Sequence, residues 1–169
     1  DFTISAWVRL DDRSDDPIIM AKWTATGNLR SWYFRVMNTG PKLEFTSDAD
    51  GSSGSATTVL SDTITFNTGT WYHCAVTRRA GTIYFFLDGT AIGSGANATT
   101  FHNNASKLEI GSINDVADEY GDLDGYMDEI LFINGYALWT SSFTSPTTAY
   151  DGNHFTPTST GANNIVADG

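Results

Sequence analysis

WYHCAVTRRAGTIYFFLDGTAIGSG, residues Trp71 to Gly95, decides the fold. Apolar residues alternate with others on both sides of Ala80-Gly81, and again up to Asp88-Gly89. Asp-Gly tolerates the positive φ that a two-residue hairpin turn requires. The stretch therefore reads as strand, turn, strand, turn, strand, an antiparallel meander.

The same period of two runs outward in both directions, and helical periodicity is almost absent. In DFTISAWVRL, Phe2, Ile4, Ala6, Val8 and Leu10 share one face, and Thr3, Ser5, Trp7 and Arg9 the other. Further strands are expected at 17–23, 31–38, 42–47, 57–66, 107–112 and 125–134. About nine short strands joined by polar turns predict an all-β fold, a two-sheet antiparallel β-sandwich. The strand GYMDEILFIN is apolar on both faces, which predicts a place inside the sandwich. Adjacent strand residues point apart, so Asp128 and Glu129 are expected on opposite faces, with Asp128 partly buried as a structural acceptor.

The 169 residues suffice for one domain with a core of its own. Residues 1–149 are read as that domain, and 150–169 as a tail, a linker or a final edge strand near Asn164 to Val166. The chain opens directly on a strand, as a domain cut from a longer protein would. The single Cys74 builds no disulfide framework and reads as a core filler, and His73 as a satisfied sheet histidine. Nine basic against twenty acidic residues give a net charge of −11, which disfavours nucleic acid and anionic membrane surfaces. No apolar run approaches the ~20 residues that cross a bilayer, so no membrane insertion is expected. The surface chemistry, rich in Thr, Ser, Gly and Asn, is that of an extracellular or virion-surface protein.

Taken together, FTISAWVRL, GTWYHCAVTRRAGTIYFFLDGTAIG, and LEIGS followed by GDLDGYMDEILFINGYAL resemble the laminin-G-like, pentraxin-like branch of the concanavalin A-like lectin/glucanase superfamily. LWTSSFTSPT after the last strand resembles forms found on phage fibres and secreted bacterial proteins. The likeness runs from about residue 2 to 146. It implies a jelly-roll sandwich that recognises glycans or proteins, often with calcium at the rim. The family's strand ahead of the FTISAW position has no counterpart here.

Relatives on this fold that hydrolyse glucans carry an E-x-D-x-x-E string, which this chain lacks. Asp124 and Asp128 share a face only about 13 Å apart, too far for a retaining or inverting pair. No nucleophile elbow, P-loop or zinc motif is present, so a non-enzymatic protein is expected and no catalytic residue is nominated.

Calcium takes several oxygen ligands on a flexible loop. The richest loop, 113–124, offers Asn114, Asp115, Asp118, Glu119, Asp122 and Asp124. The pentraxin-like resemblance implies ligands at Asn28 and at Asn114 and Asp115. It loses a carboxylate at Ile113, for which Asp118 or Asp122 could compensate. Sugars stack on aromatic faces beside polar groups. Trp23 and Trp32 bracket the loop TATGNLRS, and Tyr120 sits in the acidic loop. In the resembling family these loops are neighbours, so Trp23, Asn28, Trp32 and Tyr120 are the expected ligand residues. The reading is a lectin-like module for a glycan or cell-surface carbohydrate, calcium-assisted. A structural or adhesion module contacting protein in a virion or extracellular assembly is the alternative, and a glycoside hydrolase a further one.

Overall fold

The computed structural model describes residues 1–113 and 121–149, with the backbone of 156–157 and 165–166. The elements are β1 (Phe2–Leu10), β2 (Ile18–Thr24), β3 (Leu29–Val36), β4 (Leu43–Ser47), β5 (Thr57–Leu60), β6 (Trp71–Arg79), β7 (Thr82–Leu87), β8 (Thr90–Ala96), β9 (Glu109–Ile110), β10 (Gly125–Asn134), β11 (Thr156–Pro157) and β12 (Ile165–Val166). A 3-10 turn at Ser53–Ser55 precedes β5. β10-β1-β6-β7-β8 form the first sheet and β5-β4-β3-β2-β9 the second. The two pack as the antiparallel sandwich that the alternation predicts. β11 and β12 pair in a two-stranded sheet of their own, so Ile165–Val166 extends neither large sheet.

The meander is β6-β7-β8, and its turns have the backbone expected of them. Ala80 and Gly81 take φ of 48° and 77°, and Asp88 and Gly89 take 49° and 75°. Gly89 is obligatory for a second reason: a Cβ there would lie 2.1 Å from the carbonyl oxygen of Phe143. β5 stops at Leu60, short of the expected residue 66. Ser61 turns the chain out, its hydroxyl accepting from the Leu43 amide and donating to the Asp62 carbonyl.

The inner side chains of β1 are at most 5% exposed and pack with Phe34, Phe45, Cys74, Val76 and Phe85 in one core. Cys74 is the core filler its neighbours imply. The outer face of the first sheet is covered by the segment after β10. Thr3 accepts from the Leu138 amide and donates to the Tyr136 carbonyl, Thr77 donates to the Trp139 carbonyl, and Trp7 Nε1 donates to Pro146 O. Trp139 and Phe143 stack at 3.8 Å and close over Phe86 and His73.

β10 corrects one expectation. Its boundaries are those read from the sequence, but it is the edge of its sheet, not an interior strand. Its apolar side chains have different fates: Met127 and Leu131 are half-buried, whereas Tyr126, Ile130 and Phe132 are 55%, 40% and 42% exposed.

His73 corrects another. It is fully buried, but among the described residues neither ring nitrogen has a hydrogen-bond partner. Trp7, Trp139 and Phe143 enclose it instead, with ring centroids 5.4, 6.1 and 5.8 Å away. Burial pushes its pKa down to about 4, so the folded protein resists a proton that the unfolded chain takes up near pH 6.5. This contribution is fully present above pH 6.5 and is lost as pH falls, by about 3 kcal/mol at pH 4. Urea unfolding between pH 7 and 4 should show that loss, and His73→Phe should flatten the slope. A slope that His73→Phe leaves unchanged would assign the acid sensitivity elsewhere.

Candidate functional site

Where β10 and β9 end their sheets among the described residues, a groove runs in between the two sheets. Its deeper part encloses about 280 Å³ between Phe2, Trp32, Arg78, Phe101, Phe132 and Asn134. A wider part of about 450 Å³ shares Trp32, Phe101, Phe132 and Asn134 and adds Lys22, His102, Asn103 and Leu108. Aromatic rings form the floor. Trp32 and Phe132 lie 5.7 Å apart, and Phe101 packs at 5.7 to 5.9 Å on Phe45 and Phe2. The Arg78 guanidinium covers Phe101 at 4.8 Å.

The cations at the rim are held by the protein itself. Arg78 donates to the carbonyls of Asn97 and Thr99, and Lys22 to those of Asn104 and Ser106. They tie the loop that carries Phe101 to the sheets, so the floor is fixed before any ligand arrives. The arrangement offers C–H stacking surface beside amides, with the Asp1 carboxylate and the His102 ring also in the lining.

The residues expected at the site are divided. Trp32 lies in the groove, 7% exposed, on the inner face of β3. Trp23 is 6% exposed on the opposite face of the second sheet, edge-on to Tyr33 at 5.1 Å with the Arg30 guanidinium at 5.9 Å. Asn28 is exposed at φ 54° in the β2–β3 turn, and its carbonyl abuts Gly51. It does not line the groove. Tyr120, Asn114, Asp115 and Asp118 lie outside the described residues.

Asp122 lines a separate cup of about 160 Å³ with Asp12, Ser14, Asp15, Pro17 and Asp124. The cup lies at the start of β2, where Ile18 N donates to Gly121 O. Asn28 follows the end of β2, about 20 Å away at the rise of a strand, so one ion cannot take both residues. The carboxyl oxygens suit calcium in kind. Among the described residues, however, no three His, Cys, Asp or Glu side chains gather closely enough to hold an ion. The Asp12 carboxylate is already engaged by Ser14 and by the Arg13 and Ser14 amides, which hold it below the usual carboxylate range.

The charged residues on the outer face of the second sheet are structural. Glu44, 3% exposed, accepts from Tyr33 Oη at 2.7 Å, from Thr46 at 3.0 Å and from Arg35 at 2.9 and 3.1 Å. Arg35 reaches Asp16 at 3.2 Å as well. Burial and the Glu44 charge raise the Tyr33 pKa far above its usual value. A carboxylate so saturated is not free to act on a substrate.

Asp128 and Glu129 depart from the expected geometry. Asp128 is exposed, Glu129 is half-buried, and both line one pocket on the outer face of the first sheet.

Two five-stranded antiparallel sheets, packed face to face with the groove at their free edges, define a jelly-roll sandwich of the lectin type. The chain belongs to the concanavalin A-like lectin/glucanases superfamily, whose laminin-G-like family model matches residues 1–140. No curated protein matches the chain significantly. Among solved structures, a CBM40 module of the Ruminococcus gnavus IT-sialidase, bound to α2,3-sialyllactose, superposes with a TM-score of 0.61 at 11% identity, over 78% of this chain and 74% of that one. Domain 4 of a GH43 extracellular arabinanase from Geobacillus stearothermophilus, in complex with arabinotriose, gives 0.54 at 14% identity, over 78% and 59%. A Bacteroides ovatus protein described as a suspected carbohydrate binder gives 0.59 at 20% identity, over 85% of this chain. The chain spans only 38% of that protein's length. At these identities the likeness establishes the fold.

Phe101, Phe132, Asn134 and Arg78 went unnoticed in the sequence. Phe132 alone carried a signal, since an aromatic on the inner face becomes a platform once its strand is an edge. Trp32→Ala should cost about 3–5 kcal/mol in urea unfolding, as a core aromatic does, whereas Phe132→Ala should cost under about 1.5 kcal/mol. Equal losses would make Phe132 a core residue and not a groove platform.

Proposed function

We propose that the protein is a non-catalytic module that binds a glycan in the Trp32–Phe132 groove, displayed outside the cell or on a virion. The observation that carries this is the preorganised aromatic floor, rimmed by the Asn134 and Asn103 amides. Modules of the same fold bound to sialyllactose and arabinotriose support it.

A glycan array followed by calorimetry tests the reading. A hit should lose about tenfold or more in affinity on Phe132→Ala, about 1.4 kcal/mol of stacking, with the fold intact. Wild-type protein should release no reducing sugar from the same glycans. Binding unaffected by Phe132→Ala, or turnover of the ligand, sinks the proposal.

A second reading rests on a separate observation. Leu108, Ile110, Ile130 and Phe132, each 40–50% exposed, lie along the free edges of the two sheets. Edge strands with apolar side chains accept an extended polypeptide. A protein partner would then take the groove, and peptide-array hits with an empty glycan array would favour it.

Calcium belongs to the proposal as an auxiliary at the acidic cup that Asp122 lines with Asp124 and Asp15, and Asn114, Asp115 and Asp118, which lie outside the described residues, are the further ligands expected from the sequence. Bound there, the ion would tie the β1–β2 connection to the loop ahead of β10. At a hundred times its Kd it should add about 2.7 kcal/mol, several degrees in Tm. Asp122→Asn should abolish that shift. A melting curve indifferent to calcium and to chelator removes the ion from the account.

A further inference from the structure

The outer face of the first sheet holds a second concavity, and it is built by an irregularity. β1 and β10 run in register from Phe2↔Asn134 to Ser5↔Leu131, then resume at Trp7↔Asp128. Ala6 alone stands opposite Glu129 and Ile130, so β10 carries one extra residue. Glu129 takes that bulge at φ 48°, a left-handed conformation where glycine is the usual occupant. The bulge cancels the pleat locally. Two consecutive carboxylates, Asp128 and Glu129, therefore reach the same pocket of about 360 Å³, with Trp7, Trp71 and the segment 146–149.

The rest of the pocket is suited to a flat ligand. Trp71 is 42% exposed. Trp7 is fixed by its Nε1 bond to Pro146 O at 3.1 Å and by the His73 ring edge-on at 5.4 Å. Among the described residues that line it there is no Lys or Arg. The neighbouring Arg9 is turned away, over the Tyr126 ring and onto Asp11 and Gly69 O. Asp128 Oδ1 already accepts from the Glu129 amide, which sets the carboxylate's direction.

We propose that this pocket is a second carbohydrate site, which takes the ring of a neutral pyranose stacked on Trp71 with its hydroxyls donating to Asp128 and Glu129. Hydroxyl donors to ionised carboxylates make short, charge-assisted bonds. An anionic sugar is repelled by both carboxylates. An amine gains little from charges this exposed, because water screens them. The site shares no lining residue with the groove: Trp7 and Asp128 face outward where Phe2, Ile4 and Phe132 face inward. It stands whether or not the groove binds a glycan.

The test is an NMR titration of ¹⁵N-labelled protein with methyl α-glucoside, methyl β-galactoside and methyl α-mannoside, read at the indole N–H of the five tryptophans. At least one glycoside should shift the Trp71 and Trp7 signals saturably, whether or not that of Trp32 moves as well. Trp71→Ala, which trims an exposed side chain, and Asp128→Ala should each weaken binding about tenfold or more. Glu129→Gly, which keeps the left-handed bulge and removes one carboxylate, should weaken binding while the remaining spectrum stays superimposable. Phe132→Ala should leave these shifts untouched, which separates this site from the groove. The proposal is overturned if no glycoside moves the Trp71 signal at tens of millimolar, if the shift survives Trp71→Ala and Asp128→Ala, or if only a sialoside or an amino sugar produces it.

Discussion

The inner face of β1, packed between β6 and β10 and against the second sheet, is the constraint on which both proposed binding surfaces depend. Phe2, Ile4, Ala6, Val8 and Leu10 are all 5% exposed or less, so β1 cannot slip by one residue without turning five apolar side chains to water. That fixes the register of β10, and the irregularity in that register must then be absorbed opposite Ala6. Inward, Phe2 and Ile4 end in the groove wall. Outward, Trp7 becomes the floor of the bulge pocket and the anchor of the segment after β10. One strand thus positions two surfaces of different chemistry, an aromatic groove between the sheets and a carboxylate-lined shelf outside them.

How much of this the sequence disclosed follows from the range of each interaction. Turns are local, so Ala80-Gly81 and Asp88-Gly89 announced the meander, and β10 was delimited to the residue. Sheet order is not local. An apolar run on both faces suits an interior strand, but β10 is an edge whose inner face looks into the groove. The bulge was equally silent, since it arises from the pairing with β1 and occupies a glutamate where a glycine would have betrayed it. His73 misled for a related reason: its place on a strand suggested a satisfied sheet histidine but gave no hint that aromatic rings from residues 139 and 143 would close over it.

The site was legible in its chemistry and only partly in its geometry. An aromatic surface beside amides, the feature expected, is present in the groove, and Trp32 is part of it. Trp23 resembles it in sequence but faces the other side of the second sheet, where it packs on Tyr33. Asn28 and Asp122, brought together by resemblance, sit at opposite ends of β2. The acidic residues divide by their surroundings: Glu44 is consumed by Tyr33, Thr46 and Arg35, Asp122 and Asp124 border a cup, and Asp128 and Glu129 share a pocket through the bulge. A pattern of residue types cannot distinguish these three fates, because burial and partners decide them.

The groove between the two sheets is proposed to be a sugar-binding surface. A crystal structure of the protein soaked with the tightest-binding oligosaccharide from an array tests it most directly. The account predicts a sugar ring stacked on Phe132 and Trp32, with hydroxyls at Asn134 or Asn103. An oligosaccharide seated elsewhere, or a polypeptide strand added to β10 or β9 in its place, would contradict it.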